Sequence, residues 1–246
     1  MIWCLHGAVG MAADWMPFSS AMTAAGHAVR RVDLWRYLDC CPMEMEEFGR
    51  AFCEEVRSAD AGSKVLVGYS MGGRLGLQAL LESTRVGEDL FRAVVIVSAH
   101  PGLPTEEERL MRMAADAEWA GRALVGDWGE FLERWEGRMG SAALGVEPGT
   151  GWGDRRLLQP RRQAVARSFM DWSLGKQEDL RAKLAKVRCP VLWMTGERDE
   201  KFTKLGEEVA GLLPAGRLEV VPDAGHRIPW EHPEDFAGLV RRFLDG

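Results

Sequence analysis

An α/β fold, with a mostly parallel, doubly wound sheet and a helical insertion, is what this sequence predicts, and three observations carry the prediction. Short apolar, β-rich runs recur along the chain, each ending in small or polar residues. Segments with helical periodicity separate them. The alternation breaks once, over residues 100–189, where one helical pattern follows another for far longer than a single crossover needs.

In order, the strand-like runs are IWCL (2–5), AVRRVDL (28–34), KVLVGY (64–69), AVVIVSA (93–99), PVLWMTG (190–196) and RLEVVPD (217–223). Nearly continuous apolarity marks strands covered on both faces, as in parallel sheets. Helix-period segments fall at roughly 14–25, 44–58, 71–84 and 233–244. In such sheets ligands sit at the carboxyl ends of the strands. Within the long insertion, PTEEERLMRMAADAEWAGRAL opens with Thr105 and Glu108 in capping-box spacing. DWGEFLERWEGRM has Asp127 as its N-cap, and a Gly-rich loop, GVEPGTGWGD, follows. The helical patterns RRQAVARSFMDWSL and KQEDLRAKLAKV then lead back to the sheet. The expected organisation is a core of residues 1–100 and 186–246, with residues 101–185 as a helical cap over the sheet's active edge. Neither an internal repeat nor a low-complexity tract interrupts it.

Composition narrows the function classes. The chain has 246 residues, 46% hydrophobic and 28% charged, as globular domains do. Its net charge of −6 and lack of a basic stripe argue against nucleic acid. No apolar run approaches the ~20 residues of a membrane span. Met1 runs straight into IWCLHG without the pattern of a signal peptide, so a cytoplasmic protein, monomeric or a small homo-oligomer, is expected. The five cysteines, Cys4, Cys40, Cys41, Cys53 and Cys189, are odd in number and lack metal-ligand spacing, so free thiols and no metal are expected.

The chemistry is concentrated at three strand ends. Gly68-Tyr69-Ser70-Met71-Gly72 fits G-x-S-x-G between a strand and a helix, the setting of a nucleophile elbow, although a serine at a helix start can also be a plain cap. A serine nucleophile needs a base, and the base an orienting carboxylate. Asp199 in TGERDEKF and His226 in PDAGHRIPWEHPEDF follow the next two strand ends, in the order Ser, Asp, His. His6 reads as a structural turn residue, and His27 and His232 as surface or cap residues. His100, in SAHPG, either lines the site or merely closes its strand.

These segments resemble the α/β-hydrolase superfamily. More specifically, they resemble the 2-succinyl-6-hydroxy-2,4-cyclohexadiene-1-carboxylate synthase family of menaquinone biosynthesis. The matching stretches are LHG, VGYSMGGR, SAHPGL with EEERLMR and DAEW, GERDEKF and AGH. The resemblance implies an α/β-hydrolase fold and a lyase that eliminates pyruvate, with Ser70, Asp199 and His226 as a triad acting as base. Developing negative charge needs N–H donors, and the resemblance implies the N–H groups of Ala8, in the LHGAVG turn after the first strand, and of Met71 as the oxyanion hole. It implies that Tyr69, Arg74, Arg112, Trp135 and Arg167 bind the substrate's carboxylates, and it implies no cofactor. A carboxylesterase or C–C bond hydrolase using Ser70 as nucleophile stays open as the alternative, and a ligand sensor on the same fold is a third class. Three departures from the family bear on the pocket's entrance and the substrate. DLWRYLDCC stands where a glycine-rich segment is usual, Ala8 where an aromatic is usual, and no strand precedes IWCLHG.

The arginines support a small anionic substrate independently. Five of them, Arg155, Arg156, Arg161, Arg162 and Arg167, fall within 155–167 without an acidic residue. Guanidinium groups match carboxylates in bidentate geometry. Arg155, Arg156, Arg161 and Arg162 read as a solvated helix face. Arg112 and Arg167, set among apolar neighbours, read as functional.

Overall fold

The computed structural model describes residues 1–59, 62–138 and 153–246. Six strands form one parallel sheet: β1 (Ile2–Leu5), β2 (Val29–Val32), β3 (Val65–Tyr69), β4 (Ala93–Val97), β5 (Val191–Gly196) and β6 (Gly216–Val221). Their order across the sheet is β2-β1-β3-β4-β5-β6. Register pairs Leu5 with Gly68, Tyr69 with Val97 and Gly196 with Val221, so the ends of β1, β3, β4 and β5 that carry the candidate residues lie side by side.

Each interior strand alternates its apolar side chains between two cores. Trp3, Leu5, Leu66, Val94, Ile96 and Trp193 face one of them. Ile2, Cys4, Val65, Val67, Tyr69, Val95 and Met194 face the other. Helices α1 (Met16–Ala24) and α10 (Pro233–Asp245) cover the second face through Phe18, Met22, Phe236 and Val240. Helices α2 (Met45–Ser58), α3 (Met71–Arg85) and α8 (Glu200–Ala210) cover the first through Phe48, Phe52, Leu75 and Val209. The sheet is therefore wound on both sides, which is why its strands read as continuous apolar runs.

Between β4 and β5 lie α4 (Glu106–Val125), α5 (Trp128–Arg138), α6 (Arg162–Asp171) and the single turn α7 (Arg181–Leu184). Thr105 and Glu108 form the expected capping box, and Asp127 Oδ1 accepts from the Glu130 N–H at 2.9 Å. Most of the loop GVEPGTGWGD lies outside the described residues. Three expectations shift. The helix expected over 176–187 is only α7, because the Leu180 N–H goes to Pro101 O at 2.8 Å, and the Gln177 side-chain amide also anchors this segment, to His100 O at 3.0 Å. Helix α8 and the turn α9 (Ile228–Glu231) are additional to the helices the periodicity marked. In DLWRYLDCC, residues 34–37 form a 3-10 turn capped by Asp33. Among the described residues no helix is long and apolar enough to cross a membrane.

The arginine run divides. Arg156 and Arg161 sit in half-exposed ion pairs, as a solvated face predicts. Arg155 and Arg162 correct that expectation. Arg162 donates to Ala123 O at 2.8 Å and Gly126 O at 2.6 Å, closing the end of α4. Arg155 is buried in a bidentate pair with Asp14, at 2.7 and 2.8 Å, with side chains 3% and 0% exposed. Asp14 also accepts the Met11 and Gly153 N–H groups, so the pair ties the return of the insertion to the loop that follows β1. Removing one partner of such a pair leaves a buried charge uncompensated. Asp14→Ala is therefore expected to cost about 3–5 kcal/mol, read as a lower urea midpoint. Replacing Asp14 and Arg155 together with apolar residues should recover most of it, and equal losses in the single and double variants would show the pair to be no latch.

Candidate active site

The site begins at the elbow between β3 and α3. Ser70 adopts φ 52° and ψ −112°, a conformation that side-chain-bearing residues avoid and that presents Oγ beyond the strand end. The neighbouring backbone makes the turn possible only with glycines. A Cβ on Gly68 would lie 2.6 Å from Gly72 O, and one on Gly72 would overlap the carbonyls of Leu5 and His6. The Ser70 N–H donates to Val97 O at 2.8 Å, fixing the elbow to β4.

Two loops bring partners to that serine. His226, after β6, places Nε2 3.2 Å from Ser70 Oγ and Nδ1 2.6 Å from Asp199 Oδ2. Asp199 heads α8, and its N–H donates to Gly196 O at 2.9 Å. Glu231 holds the histidine loop by accepting the N–H groups of Gly225 and Arg227. The imidazole is packed between Phe202, at 4.6 Å between ring centres, and Tyr69, at 5.6 Å. The arrangement is a hydrogen-bonded Ser–His–Asp chain, and such a chain can take a proton onto the imidazole while the carboxylate stabilises the resulting charge.

Beside it lies the loop after β1. His6 is buried, its Nδ1–H donates to Gly7 O at 2.9 Å and its Nε2 accepts the Leu34 N–H at 3.2 Å. Both ring nitrogens are thus occupied by backbone, and burial pushes its pKa down. Trp35 Nε1 donates to Gly10 O at 2.8 Å from the other side. Ala8 on this loop and Met71, the first residue of α3, line the same cavity as Ser70. First-turn N–H groups of a helix have no intrahelical partner, so α3 brings a positive dipole end to the serine.

The cavity has a volume of about 430 Å³. Of the residues singled out from sequence, Ala8, Tyr69, Ser70, Met71, Arg74, Arg112, Trp135, Asp199 and His226 all line it. Arg167 does not. Its Nη1 donates to Leu38 O at 2.7 Å, which tethers α6 to the 34–41 segment. Tyr69 turns its ring onto Trp230 at 4.7 Å, and its buried hydroxyl has no hydrogen-bond partner among the described residues. Burial pushes that phenol's pKa up, so it stays a neutral donor.

Arg74 stands one helical turn beyond Ser70, and helical side chains lean back towards the N-terminus. Its Nη2 donates to Trp172 O at 2.8 Å and its Nη1 to Gln177 Oε1 at 3.3 Å. No carboxylate among the described residues lies within ion-pair distance of it. Burial, with the Arg112 charge nearby, pushes its pKa down to about 9. Arg112, in contrast, is half-buried and pairs with buried Asp116 at 2.8 Å, and Ser173 donates to the same carboxylate oxygen at 2.8 Å. Trp135 packs edge-on against Trp119 and Phe169, at 5.2 and 5.3 Å.

Several lining residues were not singled out for the site from sequence: Ser98, Leu174, Lys201, Phe202 and Arg227. Lys201 and Phe202 lie inside GERDEKF and were within reach of a reading that asked what flanks Asp199. Gln177, which links Arg74 to the end of β4, carries no local signal at all. Among the described residues no three His, Cys, Asp or Glu side chains are grouped to hold a metal ion.

Three comparisons with known proteins agree on the architecture. The model of the alpha/beta hydrolase family matches residues 4–239. A 2-succinyl-6-hydroxy-2,4-cyclohexadiene-1-carboxylate synthase of Pectobacterium atrosepticum is 28% identical over 254 aligned positions, covering 98% of this chain and 92% of that protein. A Bacillus subtilis protein given the same name provisionally is 34% identical over 182 residues, covering 73% of this chain and 65% of its own length, just under two thirds. A solved structure described as MenH from S. aureus superposes with a TM-score of 0.84 at 21% identity, over 99% of this chain and 92% of that one. An esterase from Thermogutta terrifontis, solved with malate bound, follows with a TM-score of 0.78 at 21% identity, over 99% and 89% of the two chains. At such identities the superpositions bear on the fold alone.

Proposed function

The chain belongs to the α/β hydrolase family, and on that premise we propose that it is the lyase of menaquinone biosynthesis that forms 2-succinyl-6-hydroxy-2,4-cyclohexadiene-1-carboxylate by eliminating pyruvate. The named relatives support this reading, but the observation that carries it is Arg74. A desolvated guanidinium with no carboxylate in ion-pair distance among the described residues, one turn from the serine, has no use for a neutral ester. A carboxylate entering the cavity would supply the missing charge and relieve the desolvation penalty. Arg112, partly compensated by Asp116, adds a second positive group on the insertion side. Both fit a substrate bearing several carboxylates.

In this mechanism His226, oriented by Asp199, draws the Ser70 proton and makes Oγ basic enough to remove a ring proton. The Ala8 and Met71 N–H groups hold the enolate-like oxygen that develops, and the pyruvate leaving group departs as the ring gains its second double bond. The proton taken ends on the Ser70–His226 pair and is returned to solvent or product. The helices between β4 and β5 act as the cap that keeps water from this step.

The same Ser–His–Asp geometry would also serve a nucleophile, so a carboxylesterase is the second reading. Incubation with the enolpyruvyl-bearing cyclohexene precursor should release pyruvate, followed through lactate dehydrogenase, with p-nitrophenyl acetate turned over only weakly. Fast short-chain ester hydrolysis without pyruvate release would favour the esterase.

A further inference from the structure

His100 lies just past the end of β4 on the wall of the cavity, away from the Ser–His–Asp chain. It is 6% exposed, and its exposed remnant lines the cavity. Its backbone carbonyl accepts the Gln177 side-chain amide at 3.0 Å, and its Nδ1 accepts the Gly102 N–H at 3.1 Å. A ring nitrogen that accepts carries no proton, so the neutral ring holds its single proton on Nε2. Among the described residues Nε2 has no hydrogen-bond partner. The ring is set edge-on to Phe202 at 6.4 Å, which further fixes its plane.

Burial, then the charges of Lys201, Arg74, Arg181 and Arg112, push its pKa down to about 4. Of these cations Arg112 is paired with Asp116 and Arg181 with Asp179 and Glu208, whereas Lys201 and Arg74 line the cavity with no ion pair among the described residues. A cationic imidazole in that company would be repelled, whereas a neutral N–H donor is tolerated. An acceptor oxygen is therefore what the wall lacks, and an anionic one is favoured by Lys201 and Arg74.

We propose that His100 is a substrate-positioning residue, which donates its Nε2–H to a carboxylate oxygen of the substrate on the Lys201–Phe202 side of the cavity. Arginines supply charge to the carboxylates, and His100 supplies direction. The inference rests on the reading of the site as one for a carboxylate-bearing substrate, and it adds a contact to that site.

Two substitutions separate positioning from mere support of the turn at 100–102. His100→Asn keeps an acceptor near Nδ1 for the Gly102 N–H but removes the distal donor. His100→Gln places an amide N–H near the Nε2 position. In the pyruvate-release assay His100→Asn should raise KM about tenfold with kcat changed by less than about threefold, and His100→Gln should restore most of the loss. An Asn variant with wild-type KM, or Asn and Gln variants equally impaired in kcat, would make the residue structural. A second measurement is independent of turnover. Nitrogen-15 NMR of the His100 ring should show a single neutral Nε2–H tautomer whose resonance moves on titration with succinate. If wild-type protein releases no pyruvate but the resonance moves, the lyase reading falls and the carboxylate contact stands. A resonance indifferent to succinate and to the cyclohexadiene product overturns the contact itself.

Discussion

Ser70→Ala and His226→Ala are each expected to lower kcat by a factor on the order of 10⁴ or more while leaving the fold intact. The expectation follows from the 3.2 Å and 2.6 Å contacts that join Ser70, His226 and Asp199 into one chain. Proton removal needs the serine oxygen and the imidazole together, so losing either abolishes the base, and the double variant should be scarcely worse than a single one. Asp199→Asn should fall in a similar range, because an amide that donates to Nδ1 would put the imidazole in the wrong tautomer. Circular dichroism of the variants separates a lost fold from a lost base. Either single alanine variant retaining near wild-type kcat on the native substrate would remove the triad from the mechanism.

Arg74→Ala is expected to lower kcat/KM for the carboxylate-bearing substrate by roughly two orders of magnitude, the loss of a charge-assisted hydrogen bond in a closed site. Arg74→Lys should recover only part, since an ammonium cannot reproduce the guanidinium fork and must still reach Trp172 O and Gln177 Oε1. Those two contacts also give Arg74 a structural share, because they hold the end of α6 and the 172–177 segment over α3. Comparison with a neutral ester measures that share. If Arg74→Ala slows p-nitrophenyl acetate as much as the native substrate, the residue is a brace and the anionic-substrate reading loses its main support. A selective loss assigns the guanidinium to the carboxylates.

The parts of the site that the sequence revealed share one property: each is set by its immediate neighbours. Ser70 is an elbow because Gly68 and Gly72 flank it between an apolar strand and a helix. Asp199 and His226 stand at the ends of strands whose apolar runs are unmistakable. Where the local signal was weak, the reading thinned. Helix α8 carries Phe202, Leu205 and Val209 at helical spacing, but only Gly206 and Val209 are buried and the charged residues between them obscure the stripe. The segment 176–180 has a helical composition, but its donors go to the carbonyls of residues 100 and 101, and tertiary hydrogen bonds override propensity.

The arginines show where that limit lies. By itself the sequence determined the α/β fold, the order of the strands along the chain, the elbow and the residues of the hydrogen-bonded chain, because periodicity and turn chemistry act over a few residues. It could not distinguish Arg155, Arg162 and Arg167, which are chemically identical and lie within one run. Arg155 is neutralised by Asp14, 141 positions away, whereas Arg162 donates to backbone at the end of α4 and Arg167 to Leu38 O, 129 positions away. Arg74, four residues from the serine, has no carboxylate within ion-pair distance among the described residues, although the Asp116 charge acts on it from farther off. Only the tertiary structure decided which guanidinium is a latch, which a tether and which faces the cavity, because burial and the choice of partner are set by segments that meet only when the chain has folded.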